Sequence, residues 1–166
     1  CSTCHGATDI KDKTSHRHAP TQIKCQLCAQ QCLIAEGQRG RCRARMNVKG
    51  ELRSLVYGRP ISVHVDPIEK KPIYHLLPGT SVVSLGTVGC NFGCGFCQNW
   101  DTSQFSKSGG RRVEEVGYEL PPTDIVAYCE KNGFPSIAYT YNEPAVFLEY
   151  VIDIARLARN RKIRNI

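Results

Sequence analysis

Cys90, Cys94 and Cys97 stand close together in the run Gly89-Cys90-Asn91-Phe92-Gly93-Cys94-Gly95-Phe96-Cys97. Three thiolates at this spacing suit an iron–sulfur cluster, and the interleaved glycines let backbone approach the sulfurs. A [4Fe-4S] cube normally takes four thiolates, so three leave one iron open to a small molecule. An open coordination position marks a reactive metal site, whereas a closed shell marks a structural one. The competing reading is a zinc site completed by a distant ligand, or three unrelated buried thiols. Zinc knuckles usually come as two matched pairs, and no second pair adjoins this loop.

A second group, Cys25, Cys28, Cys32 and Cys42, supplies four thiolates, enough to close a shell around a structural zinc or an auxiliary iron–sulfur cluster. Spacing alone leaves zinc and cluster both open, and such a module is expected to brace the fold or pass electrons. Cys1-Ser2-Thr3-Cys4-His5 matches the pattern for covalent c-type haem. That pattern is short, and haem attachment belongs to an exported compartment, in conflict with a low-potential cluster. Cys129 reads as a small core residue inside a helix. His64 and His75, among apolar neighbours, read as packed side chains, and Trp100 as a core residue beside the cysteine loop.

The elements that must position these residues follow from periodicity. Residues 1–24 are polar, dotted with histidine and without hydrophobic period, and read as a tail. Residues 25–50 form the cysteine-rich module, a candidate metal site, broken by Gly37, Gly40 and Gly50. Over 51–80 short β-prone runs alternate with Pro60, Pro67, Pro72 and Pro78, which predicts edge strands and turns in a β-rich connector. From residue 81 the order changes. The apolar run Ser81-Val82-Val83-Ser84-Leu85 predicts a strand feeding the cysteine loop, and a polar stretch with Gly109-Gly110 follows. A helix is predicted from Pro122-Thr123 to Gly133, then a strand Ser136-Ile137-Ala138-Tyr139-Thr140. After the turn Tyr141-Asn142-Glu143-Pro144, the residues Phe147, Tyr150, Val151, Ile154, Leu157 and Ala158 recur at helical spacing. Strand, helix, strand, helix implies a parallel βα arrangement, whose chemistry gathers at the carboxyl ends of strands. Both loops of interest fall there. The turn alone is also explained as a plain strand-to-helix connection opened by Pro144.

With 166 residues and 41% hydrophobic content the chain can build a packed core, which excludes wholesale disorder. No apolar run approaches the roughly 20 residues of a membrane span. Cys1 at one end and the strand-like Ile163-Arg164-Asn165-Ile166 at the other read as cuts, so a fragment with exposed parallel strand edges is expected. The net charge of +7 gathers at Arg39, Arg41, Arg43 and Arg45 and in the last helix. Arginines near thiolate-bound metal offset its negative charge, and no aromatics for stacking on bases interleave with them, so no nucleic-acid partner is expected. Ten cysteines in grouped spacings favour metal over disulfides, hence a reducing, cytoplasmic setting.

The cysteine loop, continuing Gln98-Asn99-Trp100-Asp101, resembles the signature loop of radical S-adenosylmethionine (SAM) enzymes, with an aromatic residue just before the third cysteine. Within that superfamily the chain is similar to the pyruvate formate-lyase-activating enzymes. It most resembles the AmmeMemoRadiSam system branch, through Leu55-Val56-Tyr57-Gly58-Arg59-Pro60, Val65-Asp66-Pro67-Ile68-Glu69-Lys70-Lys71-Pro72 and the spacing of Cys25 to Cys42. The resemblance covers residues 25–166. It implies an α/β fold, the opening part of a partial (β/α) barrel over 81–166. Cys90, Cys94 and Cys97 would ligate three irons of a [4Fe-4S] cluster, and SAM would chelate the fourth. Phe96 would lie beside the adenine, with Asn142, Glu143 and Pro144 at the methionine end. It further implies reductive cleavage of SAM to a 5′-deoxyadenosyl radical that abstracts hydrogen from a protein or small-molecule substrate. The electron donor would be a flavodoxin or ferredoxin. Where activating enzymes carry Gly-Gly-Glu-Pro, this chain has Tyr141-Asn142-Glu143-Pro144, and Tyr141 adds bulk where glycine would be free. No catalytic acid or base is named by any motif. The alternative is a non-catalytic iron–sulfur or zinc module that carries electrons or docks a partner.

Overall fold

The computed structural model describes residues 21–104 and 113–166. The haem-type pattern at Cys1, Cys4 and His5 and the stretch with Gly109-Gly110 lie outside them. The centre of the fold is a four-stranded sheet in the order β5-β6-β7-β8. β5 (Ser62–Pro67) runs antiparallel to β6 (Ser81–Gly86), with Ser62 opposite Gly86 and Pro67 opposite Ser81. β7 (Ser136–Tyr139) and β8 (Arg164–Asn165) then add in parallel, Val83 meeting Ile137 and Ile137 meeting Asn165. Pro67 closes an edge strand, where its missing N–H removes no central ladder bond.

Two helices cover one face of the sheet. α2 (Pro122–Asn132) opens on a proline and stops at Gly133, whose φ of 70° is the left-handed conformation of a helix end. α3 (Leu148–Asn160) follows a single turn of 3-10 helix over Pro144–Phe147. Odd positions of the central strands, Val83, Leu85 and Ile137, pack against Ile125, Val126 and Cys129 of α2 and Tyr150, Ile154 and Ala158 of α3. Even positions, Val82 and Ala138, point to the other face with Ile68. This alternation is the period of two that a parallel sheet under helices requires. Tyr150, fully buried, resolves its hydroxyl by donating to Leu120 O at 2.6 Å. Burial pushes the Cys129 thiol up to about 11, as befits a packed residue rather than a reactive one.

Before the sheet lie two small hairpins. β1 (Gln22–Lys24) pairs with β2 (Leu33–Ala35), so the polar stretch predicted as a tail ends in a strand. β3 (Arg45–Val48) pairs with β4 (Glu51–Ser54), and this hairpin turns across residues 49–50, where the cysteine module was expected to give way to the connector. Asn47, wholly buried, ties the two hairpins together. Its amide donates to Thr21 O at 2.8 Å and Ile34 O at 2.9 Å and accepts from Gly50 N at 3.0 Å. The hairpins are not a separate body. Cys42, Ala44 and Val56 share the core with Val83, Leu85 and the helices, and buried Arg45 donates to Glu149 Oε1 of α3 at 2.7 Å. Three placements correct the sequence reading. His64 and His75 are exposed, and Trp100 is 49% exposed at the start of the short helix α1 (Trp100–Ser103). Their apolar neighbours in sequence do not close over them in space.

Where β6 ends, the backbone is pressed against the turn after β7. A Cβ on Gly86 would run into Thr140 O and stand 3.0 Å from Asn142 Oδ1. Gly86→Ala is therefore expected to lose about 1–3 kcal/mol of stability in urea unfolding. Gly93→Ala, whose added Cβ meets nothing within 4 Å, should stay within about 0.5 kcal/mol of the parent. Equal stabilities for the two variants would show that the strand end and the turn are not in contact.

Candidate functional site

The cysteine loop leaves the carboxyl end of β6 and returns through α1. Cys90 is buried at 7% exposure, while Cys94 and Cys97 are half-buried. Cys97 N donates to Cys94 O at 3.2 Å, closing a tight turn between the second and third cysteines. Cys97 Sγ stands 3.3 Å from Ser103 Oγ. The loop is fastened at both ends. Gly89 N donates to Thr102 O at 3.0 Å, and the buried Gln104 amide donates to Phe92 O at 3.0 Å. From the amino-terminal hairpins, Gln30 Nε2 donates to Asn91 O at 3.2 Å. Gly89 holds a φ of +91°, and a Cβ there would sit 2.5 Å from Cys42 O, so no other residue lets the loop lie against the hairpins.

Asn142 ties this loop to the second strand. It is 9% exposed, donates to Gly89 O at 2.7 Å and Thr87 Oγ1 at 3.2 Å, and accepts from Thr87 N at 3.3 Å. Its amide is thus engaged with protein, and it acts on the site by position. Glu143 starts the 3-10 turn, its Oε1 accepting from Ala145 N at 3.4 Å, and Pro144 occupies the first helical place. Phe96 is 88% exposed at the tip of the loop, with Phe92 half-exposed nearby in sequence.

Tyr141 is where the departure from glycine shows its physical meaning. Its φ is 72°, left-handed backbone that glycine adopts freely and a tyrosine adopts at a cost of about 1–2 kcal/mol. Side-chain contacts offset that strain. Tyr141 Oη donates to Asp66 Oδ2 at 3.1 Å, its ring meets His64 edge-on at 5.8 Å, and Lys71 Nζ lies 5.2 Å from the ring centre. Asp66 is 5% exposed and takes Lys70 and Lys71 at 2.8 Å each. Burial alone would raise its carboxyl, but the hydrogen bonds from the two lysines hold it well below the usual carboxylate range. Burial, and then the bond to Asp66, push the Tyr141 phenol up to about 12. Neither Asp66 nor Lys71 is marked as a site residue by any motif. Both lie in the run Val65 to Pro72 that carries the family resemblance, but their partner Tyr141 is 75 positions away from Asp66.

Beside this cluster is a hollow of about 610 Å³ lined by Lys70, Lys71, Gln98, Asn99, Thr140 and Tyr141, among others. It joins the exit of the cysteine loop to the end of β7, within the volume range of small-molecule sites. A larger hollow of about 750 Å³ lies between α3 and β8, far from the cysteines and lined by Arg156, Arg159 and Lys162. Size does not decide between them. The first gathers two lysines, the exit of the cysteine loop at Gln98 and Asn99 and the end of β7, the second only a helix flank.

All eight cysteines among the described residues are free thiols. Among the described residues no group of three or more His, Cys, Asp or Glu is drawn together to hold a metal as placed. The donor chemistry of the loop nevertheless fits a cluster. It offers three thiols on one loop, two of them half-open, and added Cβ atoms at Gly93 and Gly95 would meet nothing within 4 Å. No helix among the described residues is long and apolar enough to cross a membrane.

Comparison with known proteins agrees with the geometry. A protein of Methanocaldococcus jannaschii, itself named only as uncharacterized, is 42% identical over 146 residues, covering 87% of this chain. The chain spans 42% of the length of that relative. No solved structure matches. Residues 84–166, which begin inside β6 and contain the cysteine loop, the 141–144 turn and both covering helices, match the radical SAM superfamily. The chain belongs to that superfamily.

Proposed function

We propose that this protein cleaves SAM reductively at the Cys90 loop and passes the resulting radical character to a substrate. Superfamily membership brings a [4Fe-4S] cluster and SAM as cosubstrate. The observation that carries the reading to these residues is the junction of the three-cysteine loop with the turn after β7, joined through Asn142. When bound, the cluster and SAM supply an electron to the sulfonium and a 5′-deoxyadenosyl radical for hydrogen abstraction.

The chain's own residues bind and orient. Cys90, Cys94 and Cys97 would hold the cluster through three thiolates, leaving it open to SAM. Exposed Phe96 offers its ring to the adenine. Asn142 fixes the height of the loop over the second strand, so that Glu143 and Pro144 line the methionine end. The hollow beside Tyr141 gives room for a guest, and Lys71 places positive charge at its wall. Within the superfamily we infer kinship with glycyl-radical-enzyme activating enzymes, in the AmmeMemoRadiSam system branch. A flavodoxin or ferredoxin as donor and a protein or small-molecule substrate follow from that kinship.

Two measurements test this. After anaerobic reconstitution and reduction, addition of SAM is expected to change the cluster's EPR signal, and 5′-deoxyadenosine should form with a strong reductant. An unchanged signal and no nucleoside would leave an electron carrier. Asn142→Ala removes the clamp and leaves Gly89 O and Thr87 N–H unpaired, a loss of about 1–3 kcal/mol in urea unfolding. Iron retained after reconstitution should fall in that variant. Full iron content at parental stability would show that Asn142 does not hold the loop.

A further inference from the structure

The four amino-terminal cysteines border one cavity without being drawn to metal-binding distance as placed. Cys25, Cys28, Cys32 and Cys42 all line a single cavity, joined by Arg41, Arg45 and Asn91. Cys25 and Cys42 are buried and the other two half-buried, although strands and loops separate them in sequence. Cys25 N donates to Cys32 O at 2.8 Å, which pairs the two positions at the loop end of the β1–β2 hairpin. We propose that these four thiols form a closed site for one divalent metal ion, zinc by its donor set, and not an auxiliary iron–sulfur cluster.

Three observations decide it. The first is size. The cavity holds about 20 Å³. One water needs about 10–15 Å³ by that measure, so the cavity as it stands suits a single ion. The second is a donor aimed at sulfur. Arg41 N points at Cys32 Sγ from 3.4 Å. Amides around thiolates orient the ligands and spread their charge. The third is an orphan. Arg45 is 3% exposed and lines the cavity, yet its Nε has no hydrogen-bond partner, while both its terminal nitrogens reach Glu149. A buried donor left unpaired carries a penalty that an anionic partner removes. Four thiolates on a divalent ion carry a net charge of −2, which Arg45 and Arg41 offset at the cavity wall.

In tetrahedral zinc thiolates neighbouring sulfurs stand about 3.8 Å apart. Side-chain rotation about χ1 is the movement that draws the four thiols inward to that spacing. With the shell full there is no open position, so the ion is structural. It also touches the other site. Asn91, next to Cys90, and Ala145 and Val146, just beyond Pro144, line the same cavity. The ion would sit beneath both halves of the SAM site and brace them.

The test separates this site from the one on the loop. The triple variant Cys90→Ala, Cys94→Ala, Cys97→Ala, purified anaerobically, should hold one zinc per chain and no iron or acid-labile sulfide. Exchange of that zinc for cobalt should give the thiolate charge-transfer and tetrahedral d–d bands. Adding Cys28→Ser and Cys32→Ser should abolish both zinc and the cobalt spectrum. Iron with sulfide in the triple variant, or no bound metal and no tetrahedral cobalt spectrum, overturns the proposal. Zinc X-ray absorption on the unaltered protein does not depend on variants folding. It should report four sulfurs at about 2.3 Å, and a shell containing nitrogen or oxygen overturns the assignment. Loss of SAM chemistry leaves these outcomes unchanged, because the triple variant lacks the loop thiols altogether.

Discussion

One carboxamide holds the two halves of the site at fixed height. Asn142 makes three hydrogen bonds to Thr87 and Gly89 from a nearly sealed position. Everything nearby conforms to it. Gly86 must lack a side chain because Thr140 lies against it, and Gly89, at a φ of +91°, must lack one because Cys42 O lies against it. The cysteine loop is therefore set by contacts on three sides, from β7, α1 and the amino-terminal hairpins. Three thiols on a loose loop would bind iron weakly and accept a fourth ligand from anywhere. A loop pinned at Gly89, Asn91 and Phe92 presents them in one orientation.

The second consequence concerns charge. Beside the apolar cluster of Ile68, Val82 and Ala138, the sheet face away from the helices carries a buried Asp66 held by two lysines and by Tyr141. Such a network is stable only when every member is satisfied, and here Asp66 has donors on both oxygens. Its placement beside the hollow explains why a tyrosine sits at a backbone angle suited to glycine. The ring closes the network, and its contacts compensate the strained φ. Strain of this kind gathers at functional positions.

Much of the sheet was legible in the sequence because its signals are local. The Val-rich run of β6, proline at the start of α2, Gly133 at its end and the period of Tyr150, Ile154 and Ala158 each act within a few residues. The cysteine loop was legible for the same reason. What sequence did not reveal depends on partners far along the chain. Tyr141 reaches Asp66 across 75 positions, Asn142 reaches Gly89 across 53 and Gln30 reaches Asn91 across 61. The exposed His64, His75 and Trp100 make the same point in reverse, since apolar neighbours in sequence did not become neighbours in space. The β1–β2 hairpin escaped notice because its strands are short and its register is set by Asn47, which belongs to the next hairpin.

The proposed reaction requires one cluster iron without a protein ligand at the Cys90 loop. Mössbauer spectroscopy of the protein reconstituted with iron-57 reads that iron directly. One iron of the four should differ from the rest and shift when SAM is added, while the other three stay put. Four irons with complete protein ligation, none responding to SAM, would contradict the assignment of Cys90, Cys94 and Cys97 as an open site.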